Sequence, residues 1–463
     1  MVTSYLFYVL LFTLATFLFY TVPIKFRKSF LIILGYGIYV WFSGAYALLL
    51  FGLSLLCYFW GIYIGSHRLK GSRVLSIYLV FLSPLTLLKY FHFNKASNNL
   101  LNLDDMLLPL GISFFSFQMI SYLVDINRGF IKPEKNIQNV LLHHAFFPII
   151  FLGPIERAKH LFKQFVFDKP FNPWTFRDSL FLILWGIFKK IVVSQNLFLV
   201  MDRIKQEINF PNFWETLLLM SCSVLYVIID FSAYVDISRG AAKALGIQII
   251  KNIDDQVYLS TSLTEFWKNW HISLTSWFRD YVFFPLSKLS SKLYYLYSLI
   301  IIIYLLSGIW HEFTSNFLLW GFLNGILLVF DQSTKSRREL LWIRLRIVQY
   351  PNVILLLGWL SFFITSMILT TLFLASSPHK FYLIIEGLGN FSVGTLYLGK
   401  RILLILPLTL LFLFGINYIK AKREIYELLP PNVYLRFGIY VFLILITYYF
   451  QTPQTSGFLY GRF

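Results

Sequence analysis

Runs of about twenty apolar residues recur along most of this chain, and that repetition constrains its fold more than any other feature. They fall at roughly 3–22, 30–65, 73–91, 108–125, 137–153, 178–201, 213–236, 293–311, 315–332, 353–375, 401–419 and 433–450. A helix needs about 20 residues to cross the hydrocarbon core, so the chain reads as about 11–13 membrane segments. The 30–65 run is long enough for a hairpin, and some runs are short enough to be re-entrant. Backbone groups in lipid must be satisfied within the protein, which leaves helices or a closed β-barrel. A barrel would show alternating strands of about ten residues, and these runs are continuous. The fold class that follows is all-α: a polytopic transmembrane helical protein that includes re-entrant or interfacial helices. The first run lacks a basic leader and a small-residue cleavage site, and it reads as a retained helix. No soluble domain or low-complexity linker interrupts the pattern, so residues 1–463 read as a single integral membrane domain.

Composition agrees. Hydrophobic residues make up 57% of the chain and charged residues 13%, against roughly a quarter charged in a soluble domain. The 40 Lys and Arg outnumber the 22 acidic residues. A nucleic-acid surface would gather them on one soluble face. Here they sit in short loops, at Lys25–Lys28, His67–Arg73, Lys335–Arg346 and Lys420–Arg423. That is the positive-inside pattern. With Lys25–Lys28 cytoplasmic, the N-terminus, the loops at 92–106 and 376–400 and the C-terminal tail fall outside. The scheme breaks down between about 128 and 254, where basic residues flank both ends of several segments, a sign of re-entrant or interfacial helices. Cys57 and Cys222 lie in apolar runs without partners at C-x-x-C spacing and read as buried core residues. An acyl-cysteine at Cys222 would need a neighbour that lowers its pKa, and neither His nor a cation stands beside it.

The stretch from 260 to 285 is the most informative loop. Ser262 followed by Glu265 signals a helix start. Phe266, Trp270, Trp277 and Tyr281 then share one helical face, with Trp267, His271, Leu274 and Phe278 on the adjacent one. Such a helix belongs at the membrane interface.

Ionisable residues in or beside membrane segments are costly and mark function by default. Four places qualify. Ser307-Gly308-Ile309-Trp310-His311-Glu312 joins two apolar runs, and a neutral His there can accept a proton near pH 7. Gly308, one turn earlier, leaves room for a ligand or a neighbouring helix. Lys268-Asn269-Trp270-His271 puts a second His on the apolar face of the interfacial stretch. Asp230 and Asp236 end an apolar run and need partners, for which Arg239, Lys243 and Arg279 are candidates; a buried ion pair is the structural alternative to a functional role. Arg279 and Asp280 are adjacent, point to different sides of a helix and are expected to pair elsewhere. For both histidines a structural role stands beside the catalytic one. No phosphate loop, nucleophile elbow or metal cluster is present, and His143-His144 point about 100° apart on a helix, so no metal is expected.

Several segments resemble the membrane-bound O-acyltransferase superfamily, and within it the bacterial branch that acts on alginate, peptidoglycan and teichoic acid. They run in order: Leu108–Gln118 with Ser121–Asp125, Gly153–Arg157, Asp230–Tyr234, Glu265–Tyr281, Trp310-His311 and Asn316–Gly321. Together they cover about 108–330; each is weak alone, and the ordered set is specific. The resemblance implies a helical funnel open to both sides, with His311 as the catalytic histidine and His271 at the second signature position. Trp310, Asn269, Trp270, Arg279, Asp280, Asp236, Gly308 and Glu312 are the supporting candidates along the substrate tunnel. Two departures stand out: Glu312 replaces the Gly that commonly follows Trp-His, and Asn324 occupies the place of a later His.

The implied activity is transfer of an acyl group, expected to be acetyl, from a cytoplasmic thioester to a hydroxyl of an extracytoplasmic polysaccharide or envelope polymer. His311 would be the general base, and transfer would be direct or relayed by a partner protein. The donor would be acyl-CoA, acetyl-CoA first, or an acyl-carrier protein, with no tightly bound cofactor. The expected partners are the bilayer, the polymer acceptor and an extracytoplasmic acyltransferase or export complex, and the expected location is the bacterial inner membrane. A transporter or flippase, and a non-catalytic scaffold of an export complex, are the rival readings. A transporter predicts internal repeats with matched broken helices, which this chain does not show.

Overall fold

The computed structural model describes residues 2–94, 109–207, 211–392 and 423–451, with scattered residues between 407 and 419. The described residues are helical or irregular and contain no strand. Among the described residues, seven helices or helical runs are long and apolar enough to cross a membrane: Tyr46–Ser66, Gly71–Leu88, Pro173–Lys205, Phe213–Ala244, Leu293–His311, Ser315–Arg344 and Pro351–Leu374. Large apolar side chains stand exposed along such helices, Leu79, Leu306 and Ile364 among them. Water does not tolerate apolar surface on that scale; lipid does. The chain is a multi-pass helical membrane protein.

The chain divides into two compact units. One comprises residues 3–183 and 235–251. Its helices are α1 (Val2–Thr21), α2 (Ile24–Ser43), α3 (Tyr46–Ser66), α4 (Leu75–Asn94), α5 (Ile112–Arg128), α6 (Ile137–Ala145), α7 (Ala158–Leu161) and the start of α8 (Pro173–Phe188). The 30–65 run is the expected hairpin, α2 and α3 turning at Gly44, whose φ of 54° suits glycine. The 108–125 run becomes α5, which is buried on all sides and, at 17 residues, is not among the seven spans. Its core joins Phe19 and Leu31 to Phe146, Phe165 and Ala242. Two polar anchors hold the irregular chain here. Buried Arg27 donates to the carbonyls of Phe167 and Lys169, both at 2.9 Å. Fully buried Glu156 accepts from the Ile250 amide and pairs with His160 Nδ1 at 2.9 Å. His143 and His144 find separate partners, the Glu156 carbonyl and the Ser54 hydroxyl.

The other unit comprises residues 184–234 and the described residues from 252 onward. It holds the end of α8, α9 (Gln195–Glu207), most of α10 (Phe213–Ala244), α11 (Leu263–Asn269), α12 (Ile272–Phe278), α13 (Phe284–Ser287), α14 (Leu293–His311), α15 (Ser315–Arg344), α16 (Pro351–Leu374), α17 (Pro378–Glu386) and a final helix, Val433–Tyr449. The expected segment at 401–419 lies largely outside the described residues. The 178–201 run is not one regular helix: π-helical turns at Lys189–Ser194 join α8 to α9. They carry Lys190, fully buried, whose Nζ meets Asp230 Oδ1 at 2.5 Å, with the Ser194 hydroxyl on the same oxygen at 2.6 Å. Widened turns of this kind are frequent at functional sites.

α14 and α15 form a hairpin with very close backbones. A Cβ at Gly308 would collide with the Phe317 carbonyl, and one at Gly321 with the Tyr304 carbonyl. One at Gly325 would lie 2.7 Å from the Ile301 Cα. Small residues let membrane helices approach in this way.

Candidate functional site

The site candidates of the second unit gather where α14 ends and the 252–283 segment folds in. The sequence suggests one amphipathic helix over 260–285, but the structure breaks it. Ser262 caps α11 as expected, accepting from the Glu265 amide at 3.1 Å. The Glu265 carboxylate reaches back to the Thr261 amide at 2.8 Å, one residue before the position a capping box uses. α11 then stops at Asn269, and His271 takes φ 45°, a left-handed conformation that non-glycine residues seldom adopt. A neighbouring loop holds this break. The Asp254 amide donates to the Asn269 carbonyl at 2.8 Å and the Ile272 amide to the Asn252 carbonyl at 2.9 Å. The side chain of fully buried Asn252 caps α12, accepting from the Ser273 amide at 2.8 Å. The left-handed turn swings His271 out of the helical face it would otherwise share with Trp267 and Leu274. The remainder of the stretch is not regular either: π-helical turns at Arg279–Phe283 follow α12.

His271 is 1% exposed, and its ring lies 4.8 Å from that of Phe231 on α10 and 6.0 Å from that of Trp310. Burial holds its imidazole neutral, pushing the pKa down to about 3. Trp310 in turn stands edge-on to His311, with ring centroids 4.7 Å apart. His311 is 3% exposed, in the last turn of α14. Three further rings enclose it: Phe373 at 5.1 Å, Trp320 at 5.4 Å and Phe317 at 6.0 Å. Asn316 fixes this cage by donating to the carbonyls of Leu372 (2.6 Å) and Ala375 (2.9 Å), which ties the start of α15 to the end of α16 beside Phe373.

The structure brings His311, Trp310, His271, Trp270 and Gly308 into one neighbourhood. Trp270 is buried, stacked on Phe266 and edge-on to Phe231. Glu312 is half-buried at the C-cap of α14, its amide donating to the Gly308 carbonyl at 3.0 Å. Asn269 is half-buried and lines a separate cleft, described below.

Arg279 and Asp280 depart from expectation. They pair with each other, Nε to Oδ1 at 2.8 Å, near the surface. Both residues sit in the π-helical turns at Arg279–Phe283, where the ordinary helical angle between neighbours does not hold. Asp236 lies in the other compact unit, where Arg239, three residues on, pairs with it at 3.8 Å. Asp230 pairs with Lys190, which was not among its expected partners, and Lys243 meets Asp178 at 3.7 Å. Sequence reasoning also missed Phe231, Phe373 and Asn252 as neighbours of the histidines. Nothing in an apolar run singles out one Phe among many, and Asn252 sits in a loop without a motif.

Several cavities lie on the same unit, among them one of about 150 Å³ lined by Trp267, Tyr304 and Ser307. A cleft of about 920 Å³ is lined by Lys268, Asn269, Lys335 and Arg338, with Glu265, Asp331 and Glu339. Its volume falls in the range of ligand sites. A cavity of about 40 Å³ is lined in part by Trp270, Trp320, Asn324 and Phe373, and shares Leu263 with the larger cleft. Among the described residues no three His, Cys, Asp or Glu side chains gather as a metal site.

The buried imidazole and its aromatic cage lie in a protein whose helices are long and apolar enough to cross a membrane. Residues 135–374, more than half of the chain, match the membrane-bound O-acyltransferase family, and the chain belongs to that family. It is an acyltransferase, which decides for the enzyme against the transporter and the scaffold. The chain is 28% identical to the probable alginate O-acetylase AlgI of Azotobacter vinelandii, over 74% of this chain and 71% of the relative. It is 26% identical to the peptidoglycan O-acetyltransferase of Helicobacter pylori, over 65% and 64% of the two chains. Identity is likewise 26% to the teichoic acid D-alanyltransferase of Bacillus subtilis, over 56% and 66%.

Proposed function

We propose that this chain is an O-acetyltransferase of a bacterial inner membrane. It takes an acetyl group from a cytoplasmic thioester and delivers it to a hydroxyl of an extracytoplasmic polysaccharide or envelope polymer, directly or through a partner protein. The observation that carries the reading is the placement of His311, buried in an aromatic cage at the end of α14 with a ligand-sized cleft on the same unit. The relatives' names supply the substrate class: two are O-acetyl-transferring enzymes, acting on alginate and on peptidoglycan.

His311 removes the proton of the acceptor hydroxyl as its oxygen attacks the thioester carbonyl. The C–S bond breaks, an ester forms, and the thiolate leaves as a thiol after taking the proton back from the imidazolium. General-base assistance of this kind contributes about 10²–10⁴-fold. Negative charge on the carbonyl oxygen requires donors, and the candidates are neutral His271, the Trp310 indole and backbone amides near Gly308. The donor, acetyl-CoA or an acyl-carrier protein, would hold its phosphorylated arm in the 920 Å³ cleft near Lys268, Lys335 and Arg338. The test is to analyse the esters on the envelope polymers of the native host with and without this gene. The proposal expects one acetyl ester to vanish in the deletion and return with the wild-type gene but not with His311→Ala. An unchanged ester inventory would contradict it.

A further inference from the structure

The compact unit of residues 3–183 and 235–251 carries a polar cavity that the proposed transfer does not use. It measures about 240 Å³, and its lining includes Tyr20, Lys163, Val166, Phe167, Asp168 and Lys169. The charge there is unbalanced. Two lysines stand against one carboxylate, and among the described residues none of the three is held in an ion pair.

A further cation lies buried in the wall. Arg27 is 7% exposed and donates to the carbonyls of Phe167 and Lys169, both at 2.9 Å, and to those of Tyr20 and Val22, both at 3.2 Å. Its guanidinium also lies 5.3 Å from the ring centroids of Phe19 and Tyr20. None of these partners carries a negative charge. Carbonyl dipoles satisfy the N–H groups, but the charge itself stays uncompensated where salt screens it poorly. The potential in the cavity is therefore positive, and its fitting ligand is an anion. At about 10–15 Å³ for each water-sized atom the space takes about sixteen or more heavy atoms, and a glycerophosphoryl group has about ten.

The surroundings point to a lipid as the source of that anion. Arg27 belongs to the basic Lys25–Lys28 loop, which the positive-inside pattern sets at the cytoplasmic surface, and its bonds hold the 167–169 segment at the same level. The chain beside the cavity is apolar and open: Val166 is 62% exposed, Phe171 45% and Trp174 63%. Tyr20 packs edge-on to Phe171, with ring centroids 5.2 Å apart, so the cavity runs into this apolar surface. Exposed aromatic side chains among lysines belong at the headgroup level of a bilayer, and the cytoplasmic leaflet is the one that carries anionic lipid.

We propose that this cavity holds the headgroup of an anionic phospholipid, phosphatidylglycerol in chemistry, from the cytoplasmic leaflet. Its phosphate sits between Lys163 and Lys169, its glycerol hydroxyls donate to Asp168, and its acyl chains leave over Val166 and Phe171. The single negative charge balances the surplus of one in the lining. Tyr20 donates to the Ala244 carbonyl at 3.0 Å, so a lipid held here braces the end of α1, the 163–169 segment and the end of α10 together.

The test follows thermal unfolding of the purified full chain in detergent, titrated with phosphatidylglycerol, with phosphatidylcholine, or with glycerol 3-phosphate and no lipid. Phosphatidylglycerol is expected to raise the midpoint by about 3 °C at a hundredfold excess over its Kd, and phosphatidylcholine to raise it far less. Joint Lys163→Gln and Lys169→Gln substitution is expected to weaken phosphatidylglycerol binding about 30-fold, at about fivefold for each lysine. Joint Lys288→Gln and Lys292→Gln substitution, an equal loss of exposed charge elsewhere, is expected to leave binding unchanged. Lys163→Gln alone, expected to lose about fivefold, covers the case in which the double variant does not fold. Equal stabilisation by the two lipids, or undiminished phosphatidylglycerol binding in the folded cavity variants, overturns the site. Stabilisation by glycerol 3-phosphate as strong as by the lipid overturns the lipid as its occupant.

Discussion

Gly308→Ala is the smallest change that tests whether the α14–α15 hairpin positions the catalytic group. The added methyl meets the Phe317 backbone carbonyl, and more tightly than the 2.7 Å at which a methyl on Gly325 would meet the Ile301 Cα. Both fall well short of the 3.5–4.0 Å at which non-bonded carbons rest. The obstacle is backbone, so no rotamer change relieves it, and the helices must part by about 1 Å to restore ordinary contact. His311 lies three residues beyond Gly308 on the same helix and moves with it. A misplacement of about 1 Å at a reacting group costs about 10²-fold in rate, while overpacking costs about 1–3 kcal/mol of stability. Gly325→Ala opens the hairpin near Ile301, nearly three turns from His311, and should lose comparable stability with a much smaller loss of rate. The assay pairs acetyl transfer by the purified variants with their thermal unfolding midpoints. Equal rate losses in the two variants, or a wild-type rate in Gly308→Ala, would refute the reasoning.

Other expectations follow from single contacts. Lys190→Met removes the cation 2.5 Å from the buried Asp230 Oδ1 and should lower the unfolding midpoint, while joint replacement by Lys190→Met and Asp230→Leu should lower it far less. His160 has its pKa raised, first by its hydrogen bond to Glu156, so that contact stabilises fully below the unfolded value of about 6.5 and is lost as pH rises through the higher folded value. The unfolding midpoint should therefore fall on the alkaline side of about 6.5, and His160→Gln should remove that slope. His271 has the opposite sign: it stays neutral in the fold down to a pKa of about 3, whereas the unfolded chain protonates it, so its contribution is lost as pH falls from about 6.5. His271→Asn, a residue that tolerates the left-handed turn, should fold and should flatten the acid slope in the same scan.

Much of the architecture was legible in the sequence because lipid enforces it. Long apolar runs can only be helices there: the run at 30–65 becomes a hairpin, and those at 213–236, 293–311 and 353–375 become the helices Phe213–Ala244, Leu293–His311 and Pro351–Leu374. The break at His271 was not legible. Its cause is Asn252, a loop residue 19 positions earlier whose capping role depends on tertiary structure. The pairing of Lys190 with Asp230 was hidden for a related reason: 40 residues separate the partners, and π-helical turns change which face Lys190 presents. His311 stood out early because an imidazole at the end of an apolar run has few neutral explanations. Its cage did not, since Phe317, Trp320 and Phe373 look like ordinary members of apolar runs until the helices pack.

The most direct measurement is the rate of acetyl transfer by purified His311→Ala beside wild type, with both shown to be folded by matching unfolding midpoints. If His311 accepts the hydroxyl proton, the rate falls by about 10²–10⁴-fold. A folded His311→Ala protein that transfers acetyl at the wild-type rate contradicts the account.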